Sequence, residues 1–368
     1  MLYNKLIPFG FILTAAAQCI TDVIARNSHT STLNKFIQGL PEVESVLKNA
    51  KNITLLAPSN AAFDAFLKTD YGAAAASHPD FLANLLTYHI LNGTYKASDY
   101  SDVPVFHRTL LTNSSYTSLE DGQRVKAQTA NDSVIVTSGL LTTSRVIKPD
   151  VDAPNGIIHI IDTVLTIPAS ISDTAVAANL DSLVGALKKA DLVDTIDDLS
   201  CATIFAPFDT AFSNASKSLS KLSDDKLKEV LKYHVLDKVQ YSTDLADGSN
   251  VENIKGEKIH IDEKNYKIKV DSAQVLTSDV LVFNGVVHVI DEVLAVNLDK
   301  KEKGHDHKHD HDDHKGHDHK DHDHKDHDHK DHDHKDHESQ GAAGPGAKIT
   351  KYGVIALGTL ILAQIFAL

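Results

Sequence analysis

Two uncharged runs, Leu6 to Ala17 and Gly353 to Leu368, bracket a chain in which short aliphatic and β-branched blocks alternate with amphipathic stretches. Thr54 to Ala57 is one such block, ended by Pro58, which cannot donate to a sheet ladder. Asn60 follows, directly ahead of an Ala/Phe-rich stretch, and Asp209 holds the same place in the second half; a short polar side chain there predicts a helix cap. Ser223 predicts the cap of a further helix. Asp224 and Asp225 suit its positive end, and Leu227, Val230, Leu231 and His234 recur at helical spacing. Asn155-Gly156 and Asn284-Gly285 predict tight hairpin turns leading into strands that are apolar on both faces and therefore buried. Ser133 to Thr137 and Tyr266 to Val270 are further strand candidates. Helices cluster early in each half and strands late, an α+β arrangement.

The two halves repeat one another. Thr54-Leu-Leu-Ala-Pro-Ser-Asn-Ala-Ala-Phe63 aligns with Thr203-Ile-Phe-Ala-Pro-Phe-Asp-Thr-Ala-Phe212. Leu86-Thr-Tyr-His-Ile-Leu91 aligns with Leu231-Lys-Tyr-His-Val-Leu236. Asn155-Gly-Ile-Ile-His-Ile-Ile-Asp-Thr-Val-Leu165 aligns with Asn284-Gly-Val-Val-His-Val-Ile-Asp-Glu-Val-Leu294, identical at seven of eleven positions. Three blocks in one order and at similar spacing mean a duplicated domain.

These blocks resemble the fasciclin domain family, over residues 30–168 and 171–298. The resemblance implies two tandem domains, each of helices packed on a β-sandwich-like wedge, and a role in adhesion or matrix binding from a lipid-anchored surface protein. It also maps partner binding onto the Tyr-His pairs, Tyr88 with His89 and Tyr233 with His234. No Arg-Gly-Asp is present.

The ends place this body in the secretory pathway. Lys5, the run to Ala17 and the small residues Ala15 to Ala17 read as a cleaved leader over residues 1–17. Small residues at Gly341 to Gly344, a spacer with Lys348 and Lys351, and the apolar tail form the pattern of a glycosylphosphatidylinositol signal over 341–368, with Gly341 as the attachment residue. The globular domains are then 20–168 and 171–298, followed by a disordered stalk at 299–340. Sequons at Asn52, Asn92, Asn113, Asn131 and Asn214 fit a cell-surface or cell-wall protein; the same signals also lead to a vacuole or other endomembrane lumen. Only Cys19 and Cys201 occur, so the cores must hold the fold, and an oxidising compartment permits one bridge between them. A net charge of −14 excludes a nucleic-acid binder, which needs clustered Lys and Arg.

His89, His159, His234 and His288 each occur once per repeat in an apolar element, which reads as a hydrogen-bonded core imidazole rather than a catalytic or metal residue. No nucleophile elbow, zinc-protease helix, phosphate loop or dinucleotide fingerprint appears, so a non-enzymatic protein with no required cofactor is expected. The stalk is a different material. His305, His307, His309, His311, His314, His317, His319, His322, His324, His327, His329, His332, His334 and His337 account for fourteen of twenty-two histidines, in a unit His-Asp-His-Lys-Asp that recurs from His317. A period of five fits neither helix nor strand, and a segment with no apolar side chain cannot bury a core. It reads either as a solvated spacer or as a ligand set for Zn²⁺, Cu²⁺ or Ni²⁺. Over residues 304–338 six lysines oppose twelve aspartates and Glu338, so the charge of that segment reverses from negative to positive as the imidazoles protonate near pH ~6.5.

Overall fold

The computed structural model describes residues 19–294 apart from Tyr266. The expected leader, the histidine-rich segment with all fourteen of its imidazoles, and the expected attachment signal with Gly341 lie outside the described residues.

The first copy opens with α1 (Ile20–Arg26), α2 (Ser31–Gln38) and α3 (Pro41–Asn49), then β1 (Ile53–Pro58), α4 (Asn60–Phe66), α5 (Asp70–Ser77) and α6 (Pro79–Tyr88). Six strands follow: β2 (Ile90–Asn92), β3 (Val105–Arg108), β4 (Arg124–Ala130), β5 (Ser133–Thr137), β6 (Thr143–Ala153) and β7 (Gly156–Ile161). The second copy repeats the plan with α7 (Ile171–Ala177), α8 (Asp181–Lys189), α9 (Val193–Asp197), β8 (Ala202–Pro207), α10 (Asp209–Leu219) and α11 (Asp224–Tyr233). Its strands are β9 (Val235–Leu236), β10 (Asn250–Glu252), β11 (Lys258–Lys264), β12 (Lys267–Val270), β13 (Ala273–Val282) and β14 (Gly285–Ile290).

Each copy builds a seven-stranded sheet with the same topology, β2-β1-β7-β6-β5-β4-β3 and β10-β11-β12-β13-β14-β8-β9 read in opposite directions. The apolar block at Thr54 becomes β1, buried at every position because it runs parallel to β7 on one side and antiparallel to β2 on the other. Its counterpart β8 is buried throughout and pairs in the same way with β14 and β9. The two halves of the expected sandwich form one ladder, bent where β6 carries bulges between Val146 and Val151. In the first copy a Leu91–Thr109 bridge joins the two ends of that ladder, so the sheet curls toward closure.

The cores are separate. Phe63, Leu85, Tyr88 and Leu91 belong to a first cluster confined to residues 20–167. The second copy has its own, divided between the helix side (Leu183, Leu187, Ile204, Leu231) and the strand side (Phe205, Ile259, Ile261, Ile290). Among the described residues no helix is long and apolar enough to cross a membrane.

Two local expectations are corrected. The tight turns centre on Pro154-Asn155 and Phe283-Asn284, because Ala153 pairs with Gly156 and Val282 with Gly285; each glycine is already the first strand residue. A Cβ on Gly156 or Gly285 would overlap the carbonyl oxygen of Ile53 or Ala202, so glycine is required by close backbone approach. Asn60 and Asp209, in turn, do not cap their own helices. Ser59 Oγ caps α4 by accepting from Ala62 N at 3.2 Å. Asn60 Oδ1 instead accepts from Thr32 N at 2.9 Å and Asp209 Oδ1 from Ser182 N at 3.0 Å, capping the otherwise uncapped α2 and α8 from a neighbouring helix. Ser223 does cap α11, accepting from Lys226 N at 3.3 Å.

Candidate functional site

The repeated histidines sit at the joints between helix, sheet and closing segment. His89 ends α6, and its Nδ1 lies 2.7 Å from the Leu85 carbonyl while its Nε2 accepts from Leu165 N at 3.0 Å. An acceptor nitrogen carries no proton, so the tautomer is fixed with hydrogen on Nδ1. His234 repeats the arrangement with Val230 O at 2.8 Å and Leu294 N at 2.9 Å. His159 and His288 take the opposite tautomer. Their Nδ1 atoms accept from Asp150 N and Asp279 N at 3.2 and 3.3 Å, and their Nε2 atoms donate to Tyr95 O and Gln240 O at 2.8 and 2.9 Å. All four are at most 3 % exposed. Burial holds His89 and His234 down to about 4, and lowers His159 and His288 as well. A proton on the accepting nitrogen would set N–H against N–H. These imidazoles are neutral clips: His89 and His234 tie the closing segment of each domain to a helix, and His159 and His288 tie the last strand to its neighbouring strand and a loop.

The tyrosines preceding two of them are equally occupied. Tyr88 is fully buried and donates to Arg124 O at 2.7 Å; Tyr233 is 8 % exposed and donates to Asp271 Oδ2 at 3.0 Å. Tyr88, His89, Tyr233 and His234, the residues to which the resemblance maps partner binding, are thus at most 8 % exposed and bonded within their own domains.

Sequence reasoning missed a second repeated device. Asp150 and Asp279 stand in the left-handed region at φ 55° and 62°, at the same point of the bulged strands β6 and β13. Each turns its carboxylate back onto a short helical turn, Asp150 Oδ1 accepting from Ala97 N at 2.9 Å and Asp279 Oδ1 from Ser242 N at 2.7 Å. The signal was available as a fourth aligned block, Val146-Ile-Lys-Pro-Asp150 against Val275-Leu-Thr-Ser-Asp279. The copies differ in what covers them. Asp150 is exposed, whereas Asp279 is fully buried against Lys126 Nζ of the first copy at 3.2 Å. Burial alone would raise the Asp279 carboxyl; Lys126, with the Ser242 bonds, holds it below the usual carboxylate range.

That ion pair lies in an interdomain seam. Gln123 Nε2 donates to Val282 O at 3.2 Å, Ser118 Oγ donates to Ser200 O at 2.7 Å, and Phe106 stacks on Tyr241 with ring centroids 3.9 Å apart. Both thiols are free. Cys19 Sγ lies 2.9 Å from Thr21 Oγ1 and Cys201 Sγ donates to Asp237 O at 3.1 Å, each within its own domain, so the Cys19–Cys201 bridge is not formed. The sequon residues Asn52, Asn92, Asn113, Asn131 and Asn214 are all exposed. Among the described residues no group of three or more His, Cys, Asp or Glu side chains is placed to hold a metal.

This duplicated architecture matches known proteins along its length. The fasciclin domain model matches residues 28–168 and 178–296. A fasciclin-like arabinogalactan protein of Arthroderma benhamiae is 33% identical over 302 residues, covering 81% of this chain and 71% of that one. Human periostin is 29% identical over 262 residues, covering 68% of this chain and 29% of its own. The solved FAS1 domain pair of the insect cell adhesion molecule fasciclin I aligns with 73% of this chain and 98% of that one, at 19% identity and a TM-score of 0.36. With both copies matched and both folded to one plan, the chain belongs to the fasciclin family.

Proposed function

We propose that this protein is a non-enzymatic adhesion molecule of the cell surface or wall, held to the membrane by a lipid attached at Gly341 and binding a surface protein or polysaccharide. The observation that carries this reading is the use to which the domains put their chemistry. The four core imidazoles and the Asp279 carboxylate are committed to backbone and seam bonds, in a chain whose family membership spans both copies. Domains whose buried polar groups are committed to internal bonds suit binding rather than turnover. Five exposed sequons support a glycosylated extracellular surface, and the Arthroderma relative is named as an arabinogalactan protein. The test is adhesion of beads coated with the full-length protein to cell walls and matrix. Adhesion above that of albumin-coated beads, retained after deletion of residues 304–338, is the expected result; adhesion equal to the albumin control contradicts it.

A second reading is favoured by one observation, the period-five histidine unit. In it the stalk is a surface-tethered buffer of Zn²⁺, Cu²⁺ or Ni²⁺, with moderate affinity because ordering a floppy chain costs entropy. Deleting residues 304–338 would then remove metal tolerance and leave adhesion unchanged. Release of the protein from intact cells by phospholipase, followed by metal analysis of the released material, tests anchor and cargo together.

A further inference from the structure

We draw no further inference here: the strongest candidate, the surface patch at the matching bulges of β6 and β13 where Ile147 and Leu276 stand exposed, is an unpartnered apolar face and nothing in the structure shows what covers it.

Discussion

His89 and His234 set the acid limit of the fold. Each imidazole is neutral in the folded protein down to about 4, whereas an unfolded chain binds the proton near ~6.5. Above that unfolded value neither state is protonated and the clips contribute fully. As pH falls from ~6.5 toward 4 the unfolded state alone gains protons, so stability is lost. The expected loss is about 2 kcal/mol per histidine at pH 5 relative to pH 7.5, measured as the urea midpoint against pH. A midpoint constant across that range contradicts the assignment. His89→Ala should cost about 2–4 kcal/mol, because it leaves the Leu85 carbonyl and Leu165 N–H buried without partners and opens a void. The structural role of these histidines was legible from one imidazole per repeat amid apolar residues. Their partners were not: Leu165 is 76 residues from His89 and Leu294 is 60 from His234, and such bonds leave no periodic trace.

At the scale of elements, the strands at Thr54 and Ser133, the capped helix at Ser223 and the buried strands after Gly156 and Gly285 follow from local pattern, and the structure contains each of them. What misled was tertiary use of local signals. Asn60 carries a capping side chain at a helix start, but Ser59 already fills that role and Asn60 serves α2, whose N-cap Thr30 makes no side-chain bond. Asn60→Ala is therefore expected to cost about 1 kcal/mol and to loosen α2 rather than α4, read as faster amide exchange at Thr32. Exchange accelerated at Ala62 instead would restore the local cap. Gly285 is the more severe site, at φ 153° with a Cβ directed at the Ala202 carbonyl. Gly285→Ala should destabilise the second domain by more than about 3 kcal/mol in thermal unfolding; a native-like transition would show that β8 and β14 separate easily.

At the scale of the whole molecule, the described residues form two copies of one unit joined by a seam that belongs to neither copy alone. Nothing in the sequence pairs Lys126 with Asp279, 153 residues away, and the first copy's Asp150 carries the equivalent backbone bond, from Ala97 N, without an ion pair to a lysine among the described residues. Removing one partner of a buried ion pair strands the other charge, so Lys126→Met should cost about 3 kcal/mol near neutral pH. The deficit should shrink toward pH 4 as Asp279 takes up a proton, seen by calorimetry as a second-domain transition that returns toward wild type; a pH-independent deficit would assign the loss to packing. The claim beneath all of this is that a single folding unit was copied together with its imidazole clips. Nitrogen-15 spectra of the four core histidines in the intact chain, followed from pH 8 to 5, test it most directly. The account predicts a proton on Nδ1 for His89 and His234, on Nε2 for His159 and His288, and no titration of the His89 and His234 signals above pH 5. Unlike tautomers within either pair, or His89 or His234 titrating near pH ~6.5, would contradict it.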